Sequence, residues 1–238
     1  IKTVTLLGSY AMTAVTAVTA QNTMGVKKIT PIPKKNVQKQ IMMILDDIGA
    51  DAVKIGMLYN VSIIKGVHHI LKKYNLKNIV IDPVMVAKGG ARLINNNSIA
   101  YLKKLLLPLA KLITPNIPEA EVLSGCSISN KEDMIQAEKN VLLKGGHLKS
   151  KMIFDILATK KEIKVFPKRK IRTKNTHGTG CTLSSALATC LSQKKSIFKS
   201  CKISLKYVDR AITYAPGYGK GFGPLNHLVL FNSRNTNV

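Results

Sequence analysis

The chain has 238 residues, 45% of them apolar and 21% charged, the composition of a globular protein with ample material for a core. Its formal charge is +25, but 32 of the 37 basic residues are Lys and 5 are Arg, aromatics are 5% and Trp is absent, so it lacks both the Arg-rich face and the stacking platform of a nucleic-acid reader. No apolar run approaches the ~18 residues of a membrane span, the opening segment is not a signal peptide, and the four cysteines show no metal-ligand spacing, which points to a reduced, cytoplasmic compartment.

In chain order, apolar β-branched runs alternate with helical patterns. Ala14–Ala20 reads as a strand of small residues ending at Gln21. Val37–Ile48 carries apolar residues at helical spacing. Ala52–Met57 is a short strand and Ile63–Tyr74 a helix. Asn78–Val84 is a buried strand that ends in Asp82-Pro83. Ile99–Leu107 is helical, and Leu109–Asn116 is a strand ending in Thr-Pro-Asn. Pro118–Leu123 starts a helix with Pro in its first turn. Val141–Lys144 is a strand running into Gly145-Gly146-His147. Met152–Ala158 and Ile163–Phe166 form a hairpin; Thr179–Leu191 and Ser204–Ala215 are helices. This alternation predicts an α/β fold with a mostly parallel central sheet and helices on both faces.

Two places read as incomplete. The chain opens on Ile1 without an initiator methionine, which points to a missing N-terminal segment. The helical run Lys131–Glu138 enters Val141-Leu142-Leu143 with almost no return loop, where such units use ~2–6 residues. Residues are therefore expected to be missing near 137–139.

The most informative run is Asn175-Thr176-His177-Gly178-Thr179-Gly180-Cys181. Two glycines stand where an apolar helix begins. Unpaired N–H groups and the helix dipole favour an anion there, and helix starts lower the pKa of thiols in general. Gly178, Thr179, Gly180 and Cys181 thus form a candidate oxyanion turn with an ionisable rim. In parallel sheets, ligands bind off the carboxyl ends of strands. Asp82, Asn116 and Lys144 all stand at or just past such ends. Glu119, three residues after Asn116, would reach Mg²⁺ through water or serve as a first-turn helix acid. Lys144 would neutralise a transferring phosphoryl group or be one more surface lysine. Gln21 would pair with a heterocycle edge or cap a turn. His147 and His177 flank glycine turns and receive no chemical role. Neither a P-loop nor a dinucleotide fingerprint is present. Cys190 and Cys201, in helical stretches, are expected to be buried and inert.

Several stretches carry a family likeness: Leu7-Gly8, Ala20-Gln21-Asn22-Thr23, Lys54-Ile55-Gly56-Met57-Leu58, Asp82-Pro83-Val84-Met85, Thr114-Pro115-Asn116-Ile117-Pro118-Glu119, Leu143-Lys144-Gly145-Gly146-His147, the Asn175–Cys181 run, and Gly219-Lys220-Gly221-Phe222-Gly223-Pro224. In this order they resemble the hydroxymethylpyrimidine/phosphomethylpyrimidine kinases of thiamine biosynthesis, in the ribokinase-like superfamily. The thiol at 181 is the specific mark, since relatives with other substrates usually carry Asp there.

The resemblance implies one ribokinase-like domain over 1–238 and two successive ATP- and Mg²⁺-dependent phosphorylations. The first falls on 4-amino-5-hydroxymethyl-2-methylpyrimidine, the second on its monophosphate. By position, Gln21 would read the pyrimidine's amino edge, with Met57 and Val84 lining the pocket. Gly178, Thr179 and Gly180 would hold the transferring phosphate, with Cys181 as base. Asp82, Asn116, Lys144 and Thr176 would serve ATP and its phosphates, and Glu119 the Mg²⁺ through water. The family's glycine-rich N-terminal segment, with a further catalytic acid, is absent from this chain, so Cys181 would be half of a pair. A homodimer is implied, with no nucleic-acid or membrane partner. The competing readings are a pyridoxal kinase on the same fold, a basic nucleic-acid-binding module, and a homologue that binds a pyrimidine without catalysis.

Overall fold

Period-2 alternation along short apolar strands decides which helices cover which face. A computed structural model describes residues 1–86, 90, 93–128, 140–146 and 150–230. Its central sheet has six strands: β3 (Val53–Ile55), β4 (Ile79–Ile81), β5 (Leu112–Ile113), β6 (Val141–Leu143), β7 (Met152–Ala158) and β8 (Ile163–Arg169). They lie in chain order, β3 to β6 parallel and β7 and β8 antiparallel. Val80 of β4 points to one face, where it joins Leu112, Leu142 and Leu157 beneath α6 (Thr179–Ser192) and α7 (Ile197–Thr213). Its neighbours Ile79 and Ile81 point to the other face, against α2 (Lys34–Asp47), α3 (Val61–Lys73) and α4 (Asn96–Tyr101). Ile79, Val80, Ile81, Leu112 and Leu142 are all at most 1% exposed, and each such side chain contributes roughly 1.5–3 kcal/mol. The mostly parallel sheet with helices on both faces is thus the observed architecture.

Local chemistry sets the helix starts. Asn60 opens α3 by accepting the Ile63 N–H at 2.9 Å, and Ser196 opens α7 by accepting from Lys199. α5 (Ile117–Ser124) begins with a reciprocal capping box: Asn116 accepts the Glu119 N–H at 2.9 Å, and Glu119 accepts the Asn116 N–H at 2.8 Å. Pro167 in β8 is tolerated because β8 is the sheet's edge strand.

Several elements depart from the sequence reading. The strand expected over Ala14–Ala20 is β1 (Ala17–Asn22), and it lies outside the central sheet. It pairs antiparallel with β2 (Gly25–Pro31), with a register shift between Ala20 and Gln21. The helix expected over Ile99–Leu107 changes after Tyr101 into a π-turn, Leu102–Leu106, and then a 3-10 turn containing Pro108. A further short helix, α1 (Lys2–Leu6), packs against α6. The helical run 131–138, the gap expected near 137–139 and His147 lie outside the described residues. Among the described residues no helix is long and apolar enough to cross a membrane.

The β1–β2 hairpin is tied down at both ends. At its root, the Thr16 hydroxyl donates to the Met57 carbonyl at 2.9 Å. At its tip, the Thr23 carbonyl accepts the Phe222 N–H at 2.9 Å, and the Thr23 hydroxyl accepts the Gly221 N–H at 3.2 Å. A Cβ on Gly221 would stand 2.1 Å from the Thr23 carbonyl oxygen, so only glycine permits this contact.

Candidate active site

Three neighbouring strands end at one mouth, and each delivers a polar residue there. β4 runs into Asp82, whose N–H continues the ladder to the Ile55 carbonyl. β5 continues into Thr114-Pro115-Asn116, and β6 into Lys144. The Lys144 N–H donates to the Pro115 carbonyl at 2.9 Å, and Lys144 bridges to Asn116. The Lys144 ammonium lies 2.9 Å from Asp82 Oδ1 and 3.8 Å from Glu119 Oε2. Asp82 is 2% exposed and Glu119 7%. Buried charges persist only when paired, and this lysine pairs with both.

The protonation states follow from that packing. Burial works against the charged form of Lys144, but Asp82 and then Glu119 outweigh it and hold its pKa above the ordinary lysine value. Burial pushes Glu119 up, Asp82 adds to the rise, and Lys144 and the Asn116 N–H oppose it. Two carboxylates share one ammonium, so the cluster suits an additional cation brought with a ligand.

The start of α6 faces this cluster. Gly178 caps the helix with φ +81°, a left-handed conformation suited to glycine. The Thr179 hydroxyl donates to the Thr176 carbonyl at 2.7 Å, and the Thr182 N–H takes the Gly178 carbonyl at 2.8 Å. Among the described residues, the N–H groups of Gly180 and Cys181 have no hydrogen-bond partner, as expected of a helix's first turn. A Cβ on Gly180 would meet Asp82 Oδ2 at 3.3 Å and the Lys144 ammonium at 3.4 Å. The first turn of α6, with its unpaired amides, therefore lies against Asp82 and the half-buried Lys144.

Asp82, Asn116, Glu119, Lys144 and the Gly178–Cys181 turn are thus brought together. Cys181 is exposed in the first turn of α6. Thr176 contributes its backbone carbonyl to Thr179. Met57 and Val84 follow the ends of adjacent strands β3 and β4 and are half-buried. Gln21 is exposed on the hairpin and lines a hollow of about 360 Å³ with Thr19, Asn22, Thr23, His177 and Pro224. The hairpin therefore faces the segment that leads into the oxyanion turn, where the His177 N–H is held by the Gly223 carbonyl at 3.0 Å.

Two supporting residues were not singled out from sequence. The Thr114 hydroxyl donates to Asp82 Oδ1 at 3.2 Å. The Ser184 hydroxyl lies 3.5 Å from Asp82 Oδ2 and 2.9 Å from the Gly180 carbonyl. Ser184 stands four residues after Gly180, on the same helical face, and that spacing was the available signal. Cys190 and Cys201 are buried, with burial first and then Cys190 pushing Cys201 up to about 12.

Among the described residues no group of three or more His, Cys, Asp or Glu side chains forms a metal cage. The donor set present, two buried carboxylates beside an anion turn, fits a Mg²⁺ that arrives with phosphates and keeps several waters.

The chain is similar over most of its length to known proteins. The family model for phosphomethylpyrimidine kinase matches residues 1–226. The thiamine biosynthesis bifunctional protein ThiED of Geobacter sulfurreducens is 45% identical over 96% of the chain, which spans 48% of that relative's length. The hydroxymethylpyrimidine/phosphomethylpyrimidine kinase of Bacillus subtilis is 39% identical over 99% of this chain and 91% of its own. Among solved structures, an ADP complex of Bacillus subtilis pyridoxal kinase superposes with a TM-score of 0.88, at 33% identity over 97% of this chain and 91% of that one.

Proposed function

The chain belongs to the phosphomethylpyrimidine kinase family, and from that premise we propose that it phosphorylates 4-amino-5-hydroxymethyl-2-methylpyrimidine with ATP and then converts the monophosphate to the diphosphate for thiamine biosynthesis. The observation that carries this reading is the convergence of Lys144, Asp82 and the open amides of α6 on one space. In-line phosphoryl transfer demands positioning and charge neutralisation above all, and that space supplies both.

In this reading the α6 amides receive the oxygens of the transferring phosphoryl group, and Lys144 neutralises the charge that develops on them. Asp82 holds Lys144 in place and is itself fixed by Thr114 and Ser184. Asn116 shapes the start of α5, so that Glu119 faces the phosphates. Glu119, through water, and Asp82 would hold Mg²⁺, which when bound shields the phosphate charge. Gln21 reads the amino edge of the ring with its amide, and Met57 and Val84 form the apolar walls. Cys181 takes the proton of the attacking hydroxymethyl group as the new P–O bond forms and the bond to the departing ADP breaks. Thr176 sets the Thr179 turn beneath the phosphates. All of 1–238 acts as one catalytic domain, and the protein works as a homodimer without nucleic-acid or membrane partners.

Pyridoxal kinase activity is the second reading, favoured by the superposition on a pyridoxal kinase. Both substrates are flat heterocycles with a hydroxymethyl group. The test is kcat/KM on the pyrimidine, its monophosphate and pyridoxal, with products identified by phosphorus NMR. Diphosphate formation with preference for the pyrimidine is expected. Preference for pyridoxal, or no transfer to either pyrimidine, overturns the proposal.

A further inference from the structure

A second charge cluster, centred on a buried carboxylate, lies behind the first on the far side of β6. Asp155 of β7 is 3% exposed. Its Oδ2 lies 3.0 Å from the Lys168 ammonium of β8, and Lys168 reaches Asp209 of α7 at 2.8 Å. The other oxygen, Oδ1, turns towards β6 and accepts the Gly145 N–H at 3.0 Å. The β6–β7 ladder ends at the pair Leu143 and Ile156. Beyond it, a side chain replaces the backbone as the acceptor.

Gly145 directly follows Lys144. Consecutive amides are therefore anchored in different directions: Lys144 N–H to the Pro115 carbonyl, and Gly145 N–H to Asp155. Gly145 also packs so tightly on β7 that a Cβ there would stand 2.1 Å from the Phe154 carbonyl oxygen. Together these contacts fix the backbone from which the Lys144 ammonium reaches Asp82. A buried carboxylate costs too much to keep without full pairing, and the Lys168 ammonium, anchored on its other side by Asp209, supplies the rest of that pairing.

We propose that Asp155 is a positioning residue for phosphoryl transfer: held by Lys168, which Asp209 anchors in turn, it clamps the Gly145 amide and so aims Lys144 at the transferring phosphate. The inference rests on the role given to Lys144 above. Asp155 touches neither substrate nor nucleotide in this scheme; it acts through the backbone. Displacements of about 1 Å at a reacting centre cost on the order of 100-fold in rate.

The test compares Asp155→Ala, Asp155→Asn, Lys144→Met and the Asp155→Ala/Lys144→Met double variant. All are assayed below their melting transitions, with kcat and both KM values measured. Asp155→Ala is expected to lower kcat on the order of 10- to 100-fold and to leave the pyrimidine KM unchanged. Asp155→Asn keeps an oxygen for the Gly145 N–H and should recover most of that rate, although it no longer offers Lys168 a carboxylate. In the Lys144→Met background the Asp155→Ala change should add little, because both act through one ammonium. If the alanine variant does not fold, Asp155→Ser replaces it, since its hydroxyl is too short to reach Gly145. Wild-type kcat in folded Asp155→Ala, an asparagine variant no faster than alanine, or fully additive losses in the double variant each overturn the inference. Wild-type turnover in Lys144→Met alone instead overturns the role of Lys144, and the inference with it.

Discussion

Replacing Gly180 with alanine should separate stability from catalysis. Gly180 is the second residue of α6 and has an ordinary backbone conformation. Alanine there gains roughly 0.5–1 kcal/mol of helix preference over glycine. The new Cβ would meet Asp82 Oδ2 at 3.3 Å and the Lys144 ammonium at 3.4 Å, contacts relieved by shifts of a few tenths of an ångström in side-chain atoms. The melting temperature should therefore hold or rise, by at most about 2–4 °C for a domain of this size. The same methyl group occupies the space where the open amides of α6 and Lys144 meet. Loss of one anion-hole donor typically costs about 10²- to 10³-fold in kcat, and a loss of that order is expected here. A coupled ADP-release assay and a thermal melt on the same sample measure both quantities. A kcat within about threefold of wild type would refute the assignment of this space to the phosphoryl group. Activity lost together with a lowered melting temperature would trace the effect to packing instead.

Cys181→Ala should slow the first phosphorylation by about 10²- to 10⁴-fold, the usual contribution of a general base, and the second far less. A phosphate monoester, with a second pKa of about 6, already presents an ionised oxygen at neutral pH. Equal losses on the two substrates would remove Cys181 as the base. For Glu119→Gln the sign follows from the raised pKa of Glu119 in the fold. The folded state binds the Glu119 proton more tightly than the unfolded chain, so its ionisation opposes folding, in full above the folded pKa and not at all below the ordinary value of 4.5. The glutamine variant should thus melt higher than wild type at pH 7, with the gap closing as pH falls towards 4.5, while ATP-dependent turnover drops. A lower melting temperature at pH 7 would contradict this. Gly145→Ala should destabilise by about 1–3 kcal/mol, as overpacking does, because its Cβ would meet backbone atoms of Phe154 at 2.1 and 2.9 Å; an unchanged melt would disprove that close approach.

Asp82, Asn116 and Lys144 could be found from sequence because each ends a short apolar run, and strand ends in parallel sheets open on one side. Their convergence within hydrogen-bond reach followed from topology alone. The hairpin was only half visible. Val26-Lys27-Lys28-Ile29-Thr30-Pro31 carries two lysines and ends in proline, and neither face of β2 is buried, so no hydrophobic alternation marks it as a strand. α1 escaped notice because five residues, three of them β-branched, carry little helix signal. The Asp155–Lys168–Asp209 cluster was invisible for a different reason. Lys168 and Asp209 are 41 positions apart, and each looks like an ordinary surface charge until β7, β8 and α7 are packed together.

The contact between the hairpin tip and the glycine loop has a consequence for how substrate choice can change. Gln21 and His177 face each other across one hollow, yet the spacing between their two segments is held where Thr23 meets Gly221 and Phe222. That contact joins the main chain of the glycine loop to the carbonyl and hydroxyl of Thr23, and it closes only because position 221 carries no side chain. The spacing across that hollow is thus pinned at its rim, where Thr23 meets the glycine loop. A single methyl group at 221 would spread the walls without altering any lining residue. With the ring seated there as proposed, broadening the hollow for a bulkier heterocycle would begin at Gly221, which does not line it.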